Sequence, residues 1–205
     1  MKPVIKVIRK SELVTSRWSG GTTTQLAIWP EGAVYADRNF VWRVSSARVE
    51  AEESDFTPLA GVSRVIMVLD GELLLRHEGL YEKRLGRFGQ DSFDGRWKTT
   101  SRGCVTDFNL MTTSGEGSVE ALEIASGESM AVSDADGGEW GCVSEVFYCY
   151  SGAVEIAIAA DRREALDAGD VLVVVSCGAA SGRLTIDNAS VGSSTVIRAT
   201  VRHNR

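Results

Sequence analysis

Residues 65–75, which read VIMVLDGELLL, carry the pattern that decides the fold class. Two apolar runs, residues 65–69 and 73–75, meet across the dipeptide Asp70-Gly71. Short runs of β-branched and aliphatic residues are typical of strands. An Asp-Gly dipeptide between two such runs is a strong hairpin signal, because both turn positions need a positive φ angle. The stretch therefore predicts two strands joined as a β-hairpin.

Short apolar runs of the same kind recur along the chain, and helical periodicity is almost absent. Further strands are predicted at residues 42–49, 105–111, 143–150, 154–158, 171–175, 183–186 and 195–198. Many short strands separated by turn residues favour a sandwich or barrel, and 21 glycines beside 3 prolines suit frequent tight turns. We therefore predict a nearly all-β protein.

The composition excludes several classes of protein. Apolar residues make up 43% of the 205 residues, which is enough for a sizeable core. No apolar run approaches the roughly 18 residues that a membrane helix needs. The net charge is −6 and no basic stripe is present, so binding to nucleic acid is not expected. The N-terminal residues do not resemble a signal peptide, and a cytoplasmic protein without membrane association is expected.

The cysteines and histidines are expected to have no catalytic or metal-binding role. The chain holds four cysteines, at positions 104, 142, 149 and 177. None belongs to a C-x-x-C pair, and disulfides are rare in cytoplasmic proteins, so all four are predicted to be free thiols. The two histidines are predicted to be exposed, His77 in a solvated turn and His203 in a mobile tail.

Both halves of the chain show an order of strands and glycine turns that is similar to the cupin barrel. A metal-binding cupin points three histidines and a glutamate into the barrel, where they hold a divalent cation. With the last glycine of that pattern set on Gly71, Arg64 stands at the glutamate position; with it set on Gly152, Glu145 stands there. The histidine positions hold no histidine in either half, so neither a metal nor another cofactor is expected.

Five short motifs, spread over residues 18–111, resemble the HutD/Ves family. They read WSGGTTTQL at 18–26, FVWRVSSA at 40–47, FTPLAGVSR at 56–64, LDG at 69–71 and DFNLM at 107–111. The resemblance implies a bicupin, two jelly-roll barrels packed into one globular unit. It also implies a regulator or governor of histidine utilisation, with formylglutamate or urocanate as suggested ligand and no established catalytic activity. We expect residues 1–125 to form the half that carries the pocket and residues 126–205 to form a degenerate half.

A carboxylate-binding pocket is predicted in the first half from side chains that share a strand face. Because side chains alternate along a strand, Arg43 lies beside Ser45, and Asp107 lies beside Asn109. Arg64 occupies the cupin ligand position, so it is expected to point into the same barrel mouth. A guanidinium beside a hydroxyl suits a carboxylate, which accepts a fork of hydrogen bonds.

The turn that precedes these strands is predicted to form the rim of the pocket. Thr23 and Thr24 would supply hydroxyls there, and the backbone would supply N–H groups. The chain departs from the family pattern nearby, at Gln25, where Glu is expected, and at Trp18-Ser19, where many members have Asn. An alternative for the pocket is that Arg43 and Asp107 form a buried ion pair that holds the barrel shut.

Three functions are compatible with these residues. The first is a protein that binds a small anionic metabolite without a metal. The second is a metal-free enzyme, an isomerase or lyase that uses Glu145 or Asp107 as base; whether any reaction is catalysed stays open, and the family resemblance argues against it. The third is a structural protein, a homodimer paired through exposed strand edges at residues 171–175, with a vestigial pocket.

Overall fold

The computed structural model describes residues 2–132, 138–158, 162–178 and 184–204, and it confirms the all-β class. These residues hold nineteen strands and no α-helix, with single 3-10 turns at Lys10–Glu12, Tyr35–Asp37 and Gly138–Trp140. Within the same ranges, no helix is long and apolar enough to cross a membrane.

The strands are numbered in chain order, and every strand pair described between them is antiparallel. The first eleven are β1 (Val4–Ile8), β2 (Val14–Trp18), β3 (Gly21–Trp29), β4 (Trp42–Val49), β5 (Glu53–Asp55), β6 (Ser63–Gly71), β7 (Leu73–His77), β8 (Tyr81–Leu85), β9 (Gln90–Asp94), β10 (Thr99–Arg102) and β11 (Val105–Thr112). The others are β12 (Glu116–Ile124), β13 (Ser129–Val132), β14 (Cys142–Ser151), β15 (Ala153–Ile158), β16 (Arg162–Asp167), β17 (Val171–Cys177), β18 (Leu184–Asp187) and β19 (Ser194–His203).

Residues 14–117 form one compact unit, here called the first unit. It contains a six-stranded sheet of order β2-β3-β4-β11-β6-β9 and a four-stranded sheet of order β5-β10-β7-β8. Its largest described core cluster draws buried side chains from both sheets, so the two sheets pack face to face. The cluster comprises Val49, Ile66, Val68, Leu73, Leu75, Leu85, Phe93 and Val105.

Residues 65–75 lie in two strands, as predicted, but the predicted hairpin is wrong. β6 pairs with β11 and β9 in the six-stranded sheet, whereas β7 pairs with β10 and β8 in the four-stranded sheet. The chain therefore turns a corner between two sheets, and both apolar runs bury their side chains in one core. Gly71 has a φ angle of +90°, and a Cβ there would lie 2.7 Å from the carbonyl oxygen of Cys104, so the corner requires glycine.

Residues 1–13 and 118–205 form the other compact unit, here called the second unit. It contains a five-stranded sheet of order β1-β17-β14-β19-β12 and a four-stranded sheet of order β13-β18-β15-β16, with apolar side chains from both in one core cluster. Its bounds differ from the predicted halves, 1–125 and 126–205, because β1 hydrogen-bonds to β17 and β12 joins the five-stranded sheet.

The predicted dimer edge at residues 171–175 is wrong. β17 lies inside the five-stranded sheet, between β1 and β14, and each of these residues is at most 6% exposed. The apolar run suggested an open edge because its partner β1 comes from the opposite end of the chain.

The prediction of four free thiols is also wrong, because Cys142 and Cys177 form a disulfide. The two residues lie directly opposite each other on the neighbouring strands β14 and β17. They are 35 residues apart in sequence, so the local pattern does not reveal their pairing. Cys104 and Cys149 are free thiols, the first exposed and the second buried.

Both histidines are buried, which corrects the predicted solvated turn and mobile tail. His77 ends β7, is 1% exposed, and hydrogen-bonds to Thr99 Oγ1 at 2.8 Å and to Asp91 Oδ2 at 2.9 Å. His203 ends β19, is also 1% exposed, and hydrogen-bonds through Nε2 to Ser144 Oγ at 2.8 Å. Both ring nitrogens of His77 therefore have side-chain partners, and Nδ1 of His203 bonds to the backbone oxygen of Asn204 at 2.7 Å.

Candidate functional site

A cavity of about 360 Å³ lies between the two sheets of the first unit. The six-stranded sheet supplies most of its polar wall, and the edge strand β2 and the connecting segments supply aromatic side chains. The polar wall includes Thr23, Arg43, Ser45, Arg64, Asp107 and Asn109. The aromatic side chains are Trp18, Tyr35 and Phe56.

Strand register places these polar groups in rows across the sheet. In the first row, Met111 of β11 lies between Arg43 of β4 and Arg64 of β6. Asn109 follows in the second row and Asp107 in the third, on the same face of β11. Successive rows on one face are about 7 Å apart, because a strand rises about 3.4 Å per residue. The wall therefore has a cationic end and an end that presents side-chain oxygens.

Arg43 is held in place by neutral groups. Its Nε donates to Gln25 Oε1 at 2.9 Å, and its Nη1 donates to Ser45 Oγ at 3.2 Å. The guanidinium carbon lies 4.2 Å from the ring centroid of Tyr35, a cation–π contact. Burial lowers the pKa of Arg43 from its usual value, because desolvation disfavours the charged form. Its positive charge is thus positioned without being neutralised.

Arg64 is buried to the same extent as Arg43 but has no hydrogen-bond partner for its Nε. The guanidinium carbon lies 4.7 Å from the ring centroid of Phe56 and 5.4 Å from that of Phe93. Arg64 forms no ion pair with any described side chain. Burial lowers the pKa of Arg64 to about 10. An unpaired buried guanidinium lowers the stability of the folded protein unless an anion pairs with it.

Asp107 is a buried carboxyl at the far end of the same wall. Its Oδ1 has no hydrogen-bond partner. Burial raises the pKa of Asp107 to about 7, although Arg64 and the backbone N–H of Ala47 act in the opposite direction. The alternative prediction of an Arg43–Asp107 ion pair is wrong, because Arg43 bonds to Gln25 and Ser45 instead.

Unpaired buried polar atoms concentrate at this cavity. Six buried side-chain atoms have no hydrogen-bond partner in the part of the chain that the structure describes, and four of them belong to residues of the cavity wall. These four are Ser54 Oγ, Arg64 Nε, Asp107 Oδ1 and Asn109 Oδ1. Buried polar groups in folded proteins are nearly always paired, so four unpaired atoms in the wall of one cavity single it out as the candidate site.

The cavity brings together six of the seven residues predicted for the pocket. Thr24 is the exception: its Oγ1 lies 2.8 Å from Thr15 Oγ1, in an exposed pair between β2 and β3. Residues 21–24, which were predicted to lie in a turn, belong to strand β3, because β3 begins at Gly21. The prediction missed Ser54, Phe56 and the other aromatic wall residues, which lie on edge strands or loops where no alternation pattern assigns a face.

The residues of this cavity do not fit a metal ion. Two guanidinium groups occupy the place where a cation would have to bind, and like charges repel. Throughout the described residues, no group of three or more histidine, cysteine, aspartate or glutamate side chains could hold a metal.

The second unit also carries a charged residue at the corresponding sequence position, but that charge is paired. Glu145 is 1% exposed, and its Oε1 accepts hydrogen bonds from Nε and Nη2 of Arg198, the first at 3.1 Å. Arg198 also donates through Nη1 to Glu120 Oε1 at 2.7 Å. Both hydrogen bonds go to Oε1, so the charge of this carboxylate is already paired with a guanidinium.

The family comparison matches the HutD model to residues 10–191 of the chain. The search of curated proteins finds no match.

Solved structures with the same fold cover nearly the whole chain. A conserved protein of unknown function from Pseudomonas aeruginosa is 20% identical, with a TM-score of 0.79 over 97% of this chain and 99% of its own. HutD from Pseudomonas fluorescens is 21% identical, with a TM-score of 0.65 over 97% and 100%. Oxalate decarboxylase from Bacillus subtilis, whose Mn(II) centres have been characterised, is 7% identical, with a TM-score of 0.67 over 97% and 77%. At these identities the similarity shows the fold alone.

Proposed function

The chain belongs to the HutD family, a family of the cupin superfamily, and from this premise we propose that it binds a small carboxylate without a metal, as a regulatory protein of histidine utilisation. Formylglutamate and urocanate are the candidate ligands, because both are small acids of that pathway. The proposal assigns ligand binding to the cavity of the first unit.

The observation that carries this proposal is the pair of buried arginines without an anionic partner. Arg43 and Arg64 flank Met111 in one row, and neither forms an ion pair with a described residue. A carboxylate between them would accept charge-assisted hydrogen bonds, which are roughly twice as strong as neutral ones. Arg64 lines the cavity, and its Nε is a buried donor without a hydrogen-bond partner.

The amide at position 25 supports the same function. Gln25 accepts a hydrogen bond from Arg43 Nε but carries no charge. A glutamate, which the family pattern places there, would compensate the guanidinium internally. With glutamine the net charge of the row remains positive and is left for the ligand.

Calorimetry with both candidate acids tests the proposal. We expect N-formylglutamate or urocanate to bind, and we expect Arg64→Met to weaken binding by about 100-fold, since it removes a charge-assisted contact from a desolvated site. Arg48→Met is the matched control, because Arg48 lies on β4 with a side chain that is 75% exposed and lines no part of the cavity. Native mass spectrometry of protein taken directly from cells would identify a co-purifying acid. If neither acid binds and no small anion co-purifies, the proposal is wrong.

A metal-free enzyme is the second candidate, and Asp107 is the observation that favours it. A carboxyl whose pKa is raised to about 7, with a free oxygen in a ligand-sized cavity, has the properties of a general acid or base. Turnover of either acid, followed by NMR, would support this function if Asp107→Asn abolished turnover and left binding in place. Binding without turnover would leave the regulatory function alone.

A further inference from the structure

The unpaired atoms of the cavity include oxygen acceptors as well as an arginine donor. Asp107 Oδ1 and Asn109 Oδ1 are buried, have no partner, and follow each other along one face of β11. Arg43 and Arg64 lie one row beyond Asn109. A ligand whose only polar group is a carboxylate would pair with the arginines and leave both acceptor oxygens without a hydrogen bond.

Leaving a buried acceptor unpaired has a measurable cost. An unpaired buried acceptor loses the hydrogen bonds that it would make in water, and a site built to hydrogen-bond a donor rejects analogues that lack the donor by large factors. An ionised carboxylate only accepts hydrogen bonds, so Asp107 in that form needs an N–H or O–H group. The acceptors therefore select among acids of similar size and charge.

We propose that Asp107 and Asn109 are specificity-determining residues, and that the ligand is an acid with an N–H or O–H donor within about 7 Å of its carboxylate for Asn109, or within about 14 Å for Asp107, the spacing of one and of two side-chain rows. This inference rests on the proposed carboxylate-binding function and narrows its ligand class. Amides of amino acids and imidazole-bearing acids belong to the class. Acids whose remaining polar atoms only accept hydrogen bonds do not.

Two pairs of acids differ mainly in one N–H group and form the test. Urocanate is compared with 3-(3-furyl)acrylate, and N-acetylglutamate with 2-acetoxyglutarate, by calorimetry at pH 8. We expect the N–H member of at least one pair to bind about 100-fold more tightly than its analogue, since one or two buried acceptors are then satisfied. Equal affinity within every pair that binds, with binding still dependent on Arg64, would overturn this inference and leave the proposed function standing. No binding of any of the four acids would count against both.

Variants of the two acceptors locate the selectivity. Asp107→Leu and Asn109→Leu replace each polar side chain by an apolar one of similar size, and we expect at least one of them to reduce the preference to less than about 10-fold while the analogue without N–H binds as before or better. Asp70→Leu is the control, because Asp70 is exposed and lines no part of the cavity. Thermal melting identifies any variant that fails to fold, and the other then carries the test. A preference unchanged in both folded variants would contradict the assignment.

Discussion

The two units place a buried charge at the same distance from a sheet corner and treat it in opposite ways. Arg64 stands seven residues before Gly71 in the first unit, and Glu145 stands seven residues before Gly152 in the second. Arg64 has no ionic partner and lines a cavity, whereas Glu145 is bound by Arg198. The difference teaches that one arrangement of strands can either neutralise a buried charge internally or leave it unpaired at a cavity.

The energetic consequence differs accordingly. A buried ion pair recovers by mutual attraction most of what desolvation costs, so removal of one member leaves the other uncompensated. A lone buried guanidinium lowers the stability of the empty protein and recovers that free energy when an anion binds. Stability is therefore expected to depend on the pair in the second unit, and affinity on the unpaired arginines in the first.

The largest expected effect is a loss of stability on breaking the pair in the second unit. Glu145→Gln should lower the free energy of unfolding by about 3–5 kcal/mol, because Arg198 then loses its ion pair with a fully buried carboxylate and keeps the one with half-exposed Glu120. Arg64→Met in the first unit should leave stability unchanged or raise it, because it removes an unpaired buried charge. Urea unfolding of both variants measures the contrast.

Glu120→Gln is the control for that contrast. The Glu120 side chain is 49% exposed, so its contribution to the ion pair should be below about 1 kcal/mol. Equal losses of stability in Glu145→Gln and Arg64→Met would contradict the distinction between a paired buried charge in the second unit and an unpaired one in the first.

The pH dependence of stability should differ between Asp107 in the first unit and Asp170 in the second. Burial raises the pKa of Asp107 to about 7, so its contribution to stability is fully present below its unfolded pKa, near 3.8, and is lost as the pH rises through about 7. The loss is of the order of 4 kcal/mol, at about 1.4 kcal/mol per pH unit. The difference in the free energy of unfolding between wild type and Asp107→Asn, measured with urea from pH 4 to pH 8, gives this contribution of Asp107.

Asp170 is the matched carboxyl in the second unit, and its pKa is shifted in the opposite direction. Burial acts to raise its pKa, but the backbone N–H of Lys10 and the side chain of Arg9 outweigh burial, and the pKa is lowered. Its contribution is present above its unfolded pKa and is lost as the pH falls below about 4. Asp170→Asn should therefore flatten the acid side of the stability profile and leave the range from pH 5 to pH 8 unchanged. Parallel profiles for both variants would show that the two carboxyls are not distinguished in this way.

The smallest expected effect comes from giving a buried arginine of the first unit a carboxylate partner, as the buried arginine of the second unit has. Gln25→Glu places a carboxylate 2.9 Å from Arg43 Nε, where the amide oxygen now accepts a hydrogen bond. We expect the affinity for a carboxylate to fall about 10-fold, because the new anion competes for one of the two cations and repels the ligand. Gln90→Glu is the control, because Gln90 is exposed on β9 and lines no part of the cavity. Calorimetry with the same acid for both variants gives the comparison, and an affinity unchanged in Gln25→Glu would show that Arg43 does not contact the ligand.

Local pattern was sufficient for the fold class and for six residues of the polar cavity wall. Apolar runs with glycine turns predicted the strands, since alternation and turn chemistry act over a few residues. The same alternation placed Arg43 beside Ser45 and Asp107 beside Asn109, and the structure has both pairs lining one cavity. These are properties of single strands, so neighbouring residues suffice to predict them.

The tertiary structure decided everything that depends on which strands become neighbours. The turn at Gly71 connects two sheets because its flanking strands pair with β11 and with β10, and not with each other. Cys142 meets Cys177 through the β14–β17 register. Strands far away in sequence likewise decided that Glu145 has an ionic partner and that Arg64 has none. Sequence alone determined which side chains share a strand face. Packing determined which faces are buried and which polar groups are satisfied, because a hydrogen bond or ion pair needs two atoms whose distance only the folded chain defines.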